Sequence, residues 1–153
     1  MEPRQLDEIV RNVGDTITDL VRTYYRLGRD KRSSLKVTNS QAQTLLSFAA
    51  QEKLTMNQLS QRMGLSTSTM TRNIDNLAQR GLVERVRDAT DRRLVFVRPT
   101  ARGRELVEDI IQSQRAHFAQ VMNSIPVDRR GEIQSSLEIL LKSMEDALQR
   151  GAA

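Results

Sequence analysis

The 153 residues contain no cysteine, and that absence excludes disulfide staples, thiolate metal sites, cysteine nucleophiles and thiol-based peroxide sensing. The only histidine, His117, falls in line with Ile110 and Val121 at helical spacing. Packing is the favoured reading for it, because a zinc site wants several His, Cys or carboxylate groups together. No apolar run approaches the roughly 20 residues needed to cross a bilayer. The N-terminal MEPRQLDEIV carries acidic residues where a secretory signal needs a basic head and an apolar stretch. The expectation is a soluble cytoplasmic protein without metal or cofactor. A Gly-rich phosphate loop, a nucleophile triad and metal-ligand spacing are also missing, which makes an enzyme the weakest reading. Internal repeats and low-complexity segments are lacking as well.

What the chain does have is positive charge in one place. Its formal net charge is +5. Residues 1–54 carry nine Lys/Arg and seven Asp/Glu, residues 55–98 eight and four, and residues 99–153 seven and eight. Every basic residue of the middle segment is arginine. The planar fork of that side chain suits phosphates and guanine edges, so the middle of the chain is the candidate nucleic-acid surface.

Hydrophobic periodicity divides the chain into elements. Leu6, Ile9, Val10, Val13, Ile17, Leu20, Val21 and Tyr24 recur at steps of three and four, predicting one long helix to about Arg29. Residues 30–37, DKRSSLKV, read as a basic loop that is either a solvated connection or an outer phosphate contact. Thr38 with Gln41 makes a capping box for a second helix ending near Gln51. Thr55 with Gln58 repeats the pattern, and Leu54 and Leu59 are placed to form a hydrophobic staple. Gly64 stops that helix after barely two turns. Ser66 then caps a helix that turns Met70, Ile74 and Leu77 inward and ends at Gly81.

Beyond Gly81 the period changes from about 3.6 to 2. LVERVR and RLVFVR, flanking DATDR, predict a short hairpin with a charged tip. Pro99 ends the second strand, and Thr100 caps a long helix bearing Leu106, Val107, Ile110, Ile111, Phe118, Val121 and Met122. Pro126 breaks it before a last helix with Ile133, Leu137, Leu140, Leu141, Met144 and Leu148 on one face. The fold class is therefore mainly α with a small β-hairpin wing. Three parts are expected: an N-terminal helix and basic loop over 1–37, a winged helix-turn-helix DNA-binding lobe over 38–100, and C-terminal helices over 101–153, the first and last being the dimerisation parts on the family resemblance given below.

A recognition helix needs one apolar side for the domain and one narrow polar side for the major groove. Advancing about 100° per residue from Met70 puts Ser68, Thr71, Arg72, Asp75, Asn76 and Gln79 on the outer half. Ser66, Ser68 and Thr69 lie near the positive helix N-terminus, where they can approach phosphates or base edges. For Ser66 capping outweighs a contact to DNA alone. Arg72 can fork onto guanine N7 and O6, with Thr71 and Asn76 beside it. In the hairpin, Arg87, Arg92 and Arg93 surround the tip, and arginine is favoured in a narrow minor groove. Asp88 and Asp91 oppose a polyanion, and Asp91 is assigned the task of orienting Arg93 by an ion pair. On this division Arg72→Ala should relax discrimination at one site, whereas Arg92→Ala should weaken all sequences more evenly.

Residues 54–107, LTMNQLSQRMGLSTSTMTRNIDNLAQRGLVERVRDATDRRLVFVRPTARGRELV, resemble the multiple-antibiotic-resistance regulator (MarR) family. The run from Gly81 through Leu82, Val83 and Arg85 to Asp91, Arg92 and Arg93, and on to Thr100 and Gly103, is similar to its signature. Pro99 stands where members commonly have Leu, and Asp88 and Thr90 make the wing less basic than many. The resemblance implies a homodimer built by the first and last two helices and, in some members, a ligand cleft between that region and the DNA-binding lobe. Tyr24 and Tyr25 are the candidate lining of such a cleft, although interface packing is the commoner use of tyrosine at helical spacing. The expected function is a sequence-specific double-stranded DNA-binding transcriptional regulator, a repressor of a pseudo-palindromic operator controlled by concentration or by a small-molecule effector. The alternatives are a nucleoid-type DNA-coating protein with little sequence specificity and a winged domain that binds protein.

Overall fold

The computed structural model describes residues 3–27, 35–88, 91 and 93–151. Helix α1, Pro3–Leu27, is followed by α2, Asn39–Leu46. A short strand β1, Leu54–Thr55, leads directly into α3, Met56–Met63, and then α4, Thr67–Gln79. Strands β2, Val83–Arg87, and β3, Val95–Pro99, precede the long helix α5, Ala101–Asn123. A 3-10 turn at Val127–Arg129 and helix α6, Arg130–Gly151, complete the order. The chain divides into two compact units, 1–114 and 115–153.

Local chemistry sets the helix starts in the first unit. Thr38 Oγ1 accepts from the Gln41 amide at 3.2 Å while Gln41 Oε1 accepts from the Thr38 amide at 3.1 Å. Thr55 and Gln58 repeat this at 3.2 and 2.8 Å. Each reciprocal pair satisfies amides that an α-helix leaves without carbonyl partners. Gly64, at φ +59°, takes the left-handed conformation that reverses the chain between α3 and α4, a geometry that penalises any residue with a Cβ. Thr100 serves the same end for α5, its hydroxyl accepting from the Gly103 amide at 3.1 Å and donating to the Gly81 carbonyl at 2.7 Å.

Two boundaries differ from the sequence expectation. Helix α2 stops at Leu46 instead of near Gln51, because the following amides of Phe48 and Ala49 bond three residues back, to Leu45 and Leu46, and tighten the chain out of α geometry. Phe48 nevertheless remains in the core. The wing is also more than a hairpin: β1 adds a third antiparallel strand in the order β1-β3-β2, pairing Leu54 with Val97 and Thr55 with Phe96. The cause lies in the cap itself. An N-cap residue has extended backbone, here φ −76° and ψ 162° at Thr55, so the entry to α3 is already shaped for a ladder.

Leu45, Leu54, Leu59, Met70, Ile74, Leu77 and Val97 are fully buried and form the centre of one apolar cluster. Val107 and Ile110 tie α5 into the same cluster. Leu54 and Leu59, the expected staple, are both at its centre. Ser60 on α3 is buried, and its hydroxyl has no partner among the described residues. Removing a desolvated, unbonded donor removes its penalty. Ser60→Ala is therefore expected to stabilise the fold by about 1 kcal/mol, raising the midpoint of urea unfolding; a lowered midpoint would show that the hydroxyl does find a partner.

In the second unit, Met122, Ile133, Leu137 and Leu141 line an apolar groove, and Arg130 Nε donates to the Ile125 carbonyl at 3.1 Å where Pro126 turns the chain. Helix α6 buries none of its residues.

Candidate nucleic-acid interface

Helix α4 presents the outer face expected of it. Ser66, Ser68, Thr69, Thr71, Arg72, Asn76 and Gln79 are all exposed, whereas Met70, Ile74 and Leu77 are buried. Ser66 is the N-cap, its hydroxyl accepting from the Thr69 amide at 3.3 Å. The same oxygen lies 3.1 Å from Ser68 Oγ and 2.9 Å from Thr69 Oγ1, so three hydroxyls form one cluster at the positive end of the helix. Thr71 Oγ1 donates to the Thr67 carbonyl at 2.8 Å. With its proton so engaged, Thr71 offers lone pairs and suits a base amino group better than a phosphate.

The arginines separate into committed and free. Arg62 donates to the Ser47 carbonyl at 3.0 Å and Arg80 to Gln41 Oε1 at 3.4 Å. Arg85 pairs with Asp75 at 2.6 Å, Arg98 with Glu84 at 2.7 Å and Arg93 with Asp91 at 3.3 Å. Among the described arginines of the middle segment, 55–98, Arg72 and Arg87 make no ion pair or hydrogen bond with a described residue, and both are exposed. A guanidinium without an internal partner keeps all five donors for a ligand.

The tip residues are arranged by short-range bonds. Asp91 accepts from the backbone amide of Arg93 at 2.9 Å as well as from its guanidinium, which is the orienting pair expected of it. Asp88 is neutralised by Lys53 at 3.2 Å, and Lys53 also stands 4.1 Å from the centre of the Phe96 ring. The negative charges near the wing are thus paired within the protein. Arg92, Thr90 and the loop residues Lys31 and Arg32 lie outside the described residues. Tyr24 and Tyr25 sit side by side, ring centres 5.7 Å apart, and the Tyr24 hydroxyl accepts from Gln114 at 2.7 Å. Tyr24 is half-buried and Tyr25 exposed.

Two residues of this region, Asn73 and Lys53, were not singled out from the sequence, and the partner of a third, Asp75, was not foreseen. Asn73 is buried on α4, its side-chain amide donating to Thr44 Oγ1 at 2.6 Å. Its place was readable: at about 60° from Met70 on the helical wheel it belongs to the inward arc, and a polar group there requires a partner. Asp75, assigned to the outer half, keeps an exposed side chain there but is engaged by Arg85 of β2, because that strand passes alongside the helix. Lys53 had no local signal, since its partners Asp88 and Phe96 are brought to it by the β1–β3 pairing.

A short helix, a glycine turn, an exposed arginine-bearing helix and a strand pair with basic flanks define a winged helix-turn-helix protein. Residues 35–94 match the MarR family. The HTH-type transcriptional regulator YsmB of Bacillus subtilis is 25% identical over 138 residues, covering 90% of this chain and 94% of the relative. The transcriptional repressor MprA of Escherichia coli K12 is 25% identical over 109 residues, 70% of this chain and 62% of the relative. A MarR family protein from Bacillus stearothermophilus has the same fold, with a TM-score of 0.78 at 24% identity over 95% of this chain and 99% of that one. Over residues 35–94 the chain is thus similar to MarR family proteins, and the relatives that it resembles over a greater length are named as transcriptional regulators. No helix among the described residues is long and apolar enough to cross a membrane.

Proposed function

We propose that this protein is a homodimeric repressor that reads a pseudo-palindromic operator, with Arg72 and its hydroxyl-bearing neighbours entering the major groove. The observation that carries the reading is the contrast between arginines: Arg72, at the centre of the outer face of α4, has no partner among the described residues, while five others of the same segment do. An uncommitted guanidinium on a groove-sized helix is the geometry that forks onto guanine. Arg87, Arg93 and Arg92 then serve the adjacent minor groove, with Asp91 holding Arg93 in position.

Support for the dimer comes from apolar side chains left exposed on the single chain. On α1 these are Leu6, Ile9, Val10, Leu20 and Val21; on α6 they are Leu137, Leu141 and Leu148. Faces of this extent ordinarily mark association surfaces. The name of MprA favours repression over activation. Occupancy is controlled by protein concentration or by a small-molecule effector, for which Tyr24 and Tyr25 remain the candidate contacts. An effector that prefers a different spacing of the two recognition helices would release DNA in proportion to that preference. The division of labour extends along the chain, with 1–37 and 101–153 assigned to dimerisation and 38–100 to DNA.

Gel retardation with a duplex from upstream of its own gene tests the reading. The expected result is a complex whose affinity falls steeply with salt and far exceeds that for a scrambled duplex. Equal retardation of both duplexes would favour a DNA-coating protein, and no retardation at low salt would favour a protein-binding winged domain.

A further inference from the structure

The inward arc of α4 contains one polar residue, Asn73, 7% exposed beside the fully buried Met70, Ile74 and Leu77. Its Nδ2 donates to Thr44 Oγ1 at 2.6 Å, with Ser40 Oγ at 3.2 Å and the Ser40 carbonyl at 3.4 Å. Thr44, itself fully buried, donates its own proton to the Ser40 carbonyl at 2.8 Å. A hydroxyl whose proton is engaged can only accept, so the side-chain amide must present its NH2 group to α2, which fixes its orientation.

Apolar contacts between helices are non-directional and tolerate rolling and sliding; a buried hydrogen bond has a preferred length and angle. Arg72 is the immediate neighbour of Asn73, exposed about 100° further round the same helix turn, so that a roll of the helix moves both together. A roll of about 20° would carry a group at a side-chain radius of about 6 Å sideways by about 2 Å, beyond the tolerance of a bidentate base contact. A second tie acts in the same sense, since Arg80 at the end of α4 reaches Gln41 in the first turn of α2. We propose that Asn73 is a positioning residue, which through Thr44 and Ser40 of α2 sets the rotation of the recognition helix and hence sequence discrimination. This inference rests on the DNA-reading role proposed for the outer face of α4.

The test uses the full-length protein and three variants: Asn73→Leu, which keeps the branched skeleton, Thr44→Val, which keeps the shape but removes the acceptor, and the double variant. Affinity is measured for a duplex selected by the wild type and for a scrambled duplex, with folding checked by circular dichroism. Asn73→Leu is expected to lower the ratio of the two affinities about ten-fold, the equivalent of part of one bidentate base contact, while scrambled-duplex binding and its salt slope stay as in the wild type. Thr44→Val should produce a similar loss, and the double variant no more than the larger single loss, because both break the same bond. If Asn73→Leu does not fold, Thr44→Val carries the prediction alone. Folded variants that discriminate as well as the wild type would overturn the inference, as would losses that multiply in the double variant. A wild type with no preference between duplexes overturns the proposed DNA reading, and this inference with it; an unchanged ratio beside a discriminating wild type overturns this inference only.

Discussion

Arg72→Ala is expected to weaken binding to a selected operator by about 1–3 kcal/mol and to flatten discrimination at the base pair that Arg72 reads. The expectation follows from its position and its freedom. Arg72 is exposed on the outer face of α4 and is engaged by no carboxylate or carbonyl of the described residues, so its removal leaves their bonds intact. The whole loss should therefore appear in binding, with the unfolding midpoint unchanged. Arg87, equally free but on the wing strand β2, supplies the control. Arg87→Ala should weaken selected and scrambled duplexes to a similar degree and reduce the slope of log affinity against log salt by about one. Fluorescence anisotropy over a range of salt separates the two outcomes. Equal and sequence-independent losses from both substitutions would contradict the assignment of base reading to the helix and of sequence-independent minor-groove attraction to the wing.

Gly103→Ala is expected to destabilise the fold by about 3 kcal/mol, at the upper end of ordinary overpacking effects. A Cβ at Gly103 would collide with the Leu82 carbonyl and press on Pro99 Cβ. Little of that contact can relax. The Leu82 carbonyl accepts from the Thr100 amide at 3.1 Å, and the Thr100 hydroxyl is bonded to the adjacent Gly81 carbonyl, so the backbone on both sides of the collision is already tied. This close approach also joins the lobe to α5, which makes the damage local to the start of that helix. Denaturant unfolding at fixed protein concentration measures it; a loss below about 0.5 kcal/mol would show that α5 can shift away from Leu82 at little expense.

Most of the lobe was legible because its signals are local. The two capping boxes, the left-handed turn at Gly64 and the Ser66 cap each depend on residues three or four apart, and each formed as expected. The outward face of α4 followed from helical period alone. What could not be read depends on distant segments meeting. Strand β1 exists only because Leu54 and Thr55 find Val97 and Phe96, more than 40 residues away in the sequence. The engagement of Asp75 by Arg85, of Asp88 by Lys53 and of Asn73 by Thr44 has the same origin. Charge counting along the chain consequently overstates the basic surface, since most arginines of the middle segment are bound to protein atoms. It is the residue left without a partner that marks the candidate site.

The central claim is that the unpaired, hydroxyl-flanked arginine face of α4 reads base sequence in two copies at once. Selection of bound fragments from a pool of random duplexes addresses it most directly. The predicted result is a single enriched motif of two inverted half-sites, centred about one helical turn, roughly 10 base pairs, apart, and lost when the pool is challenged with the Arg72→Ala protein. Retention of DNA without any enriched motif, or enrichment of the same motif by Arg72→Ala as by the wild type, would contradict it.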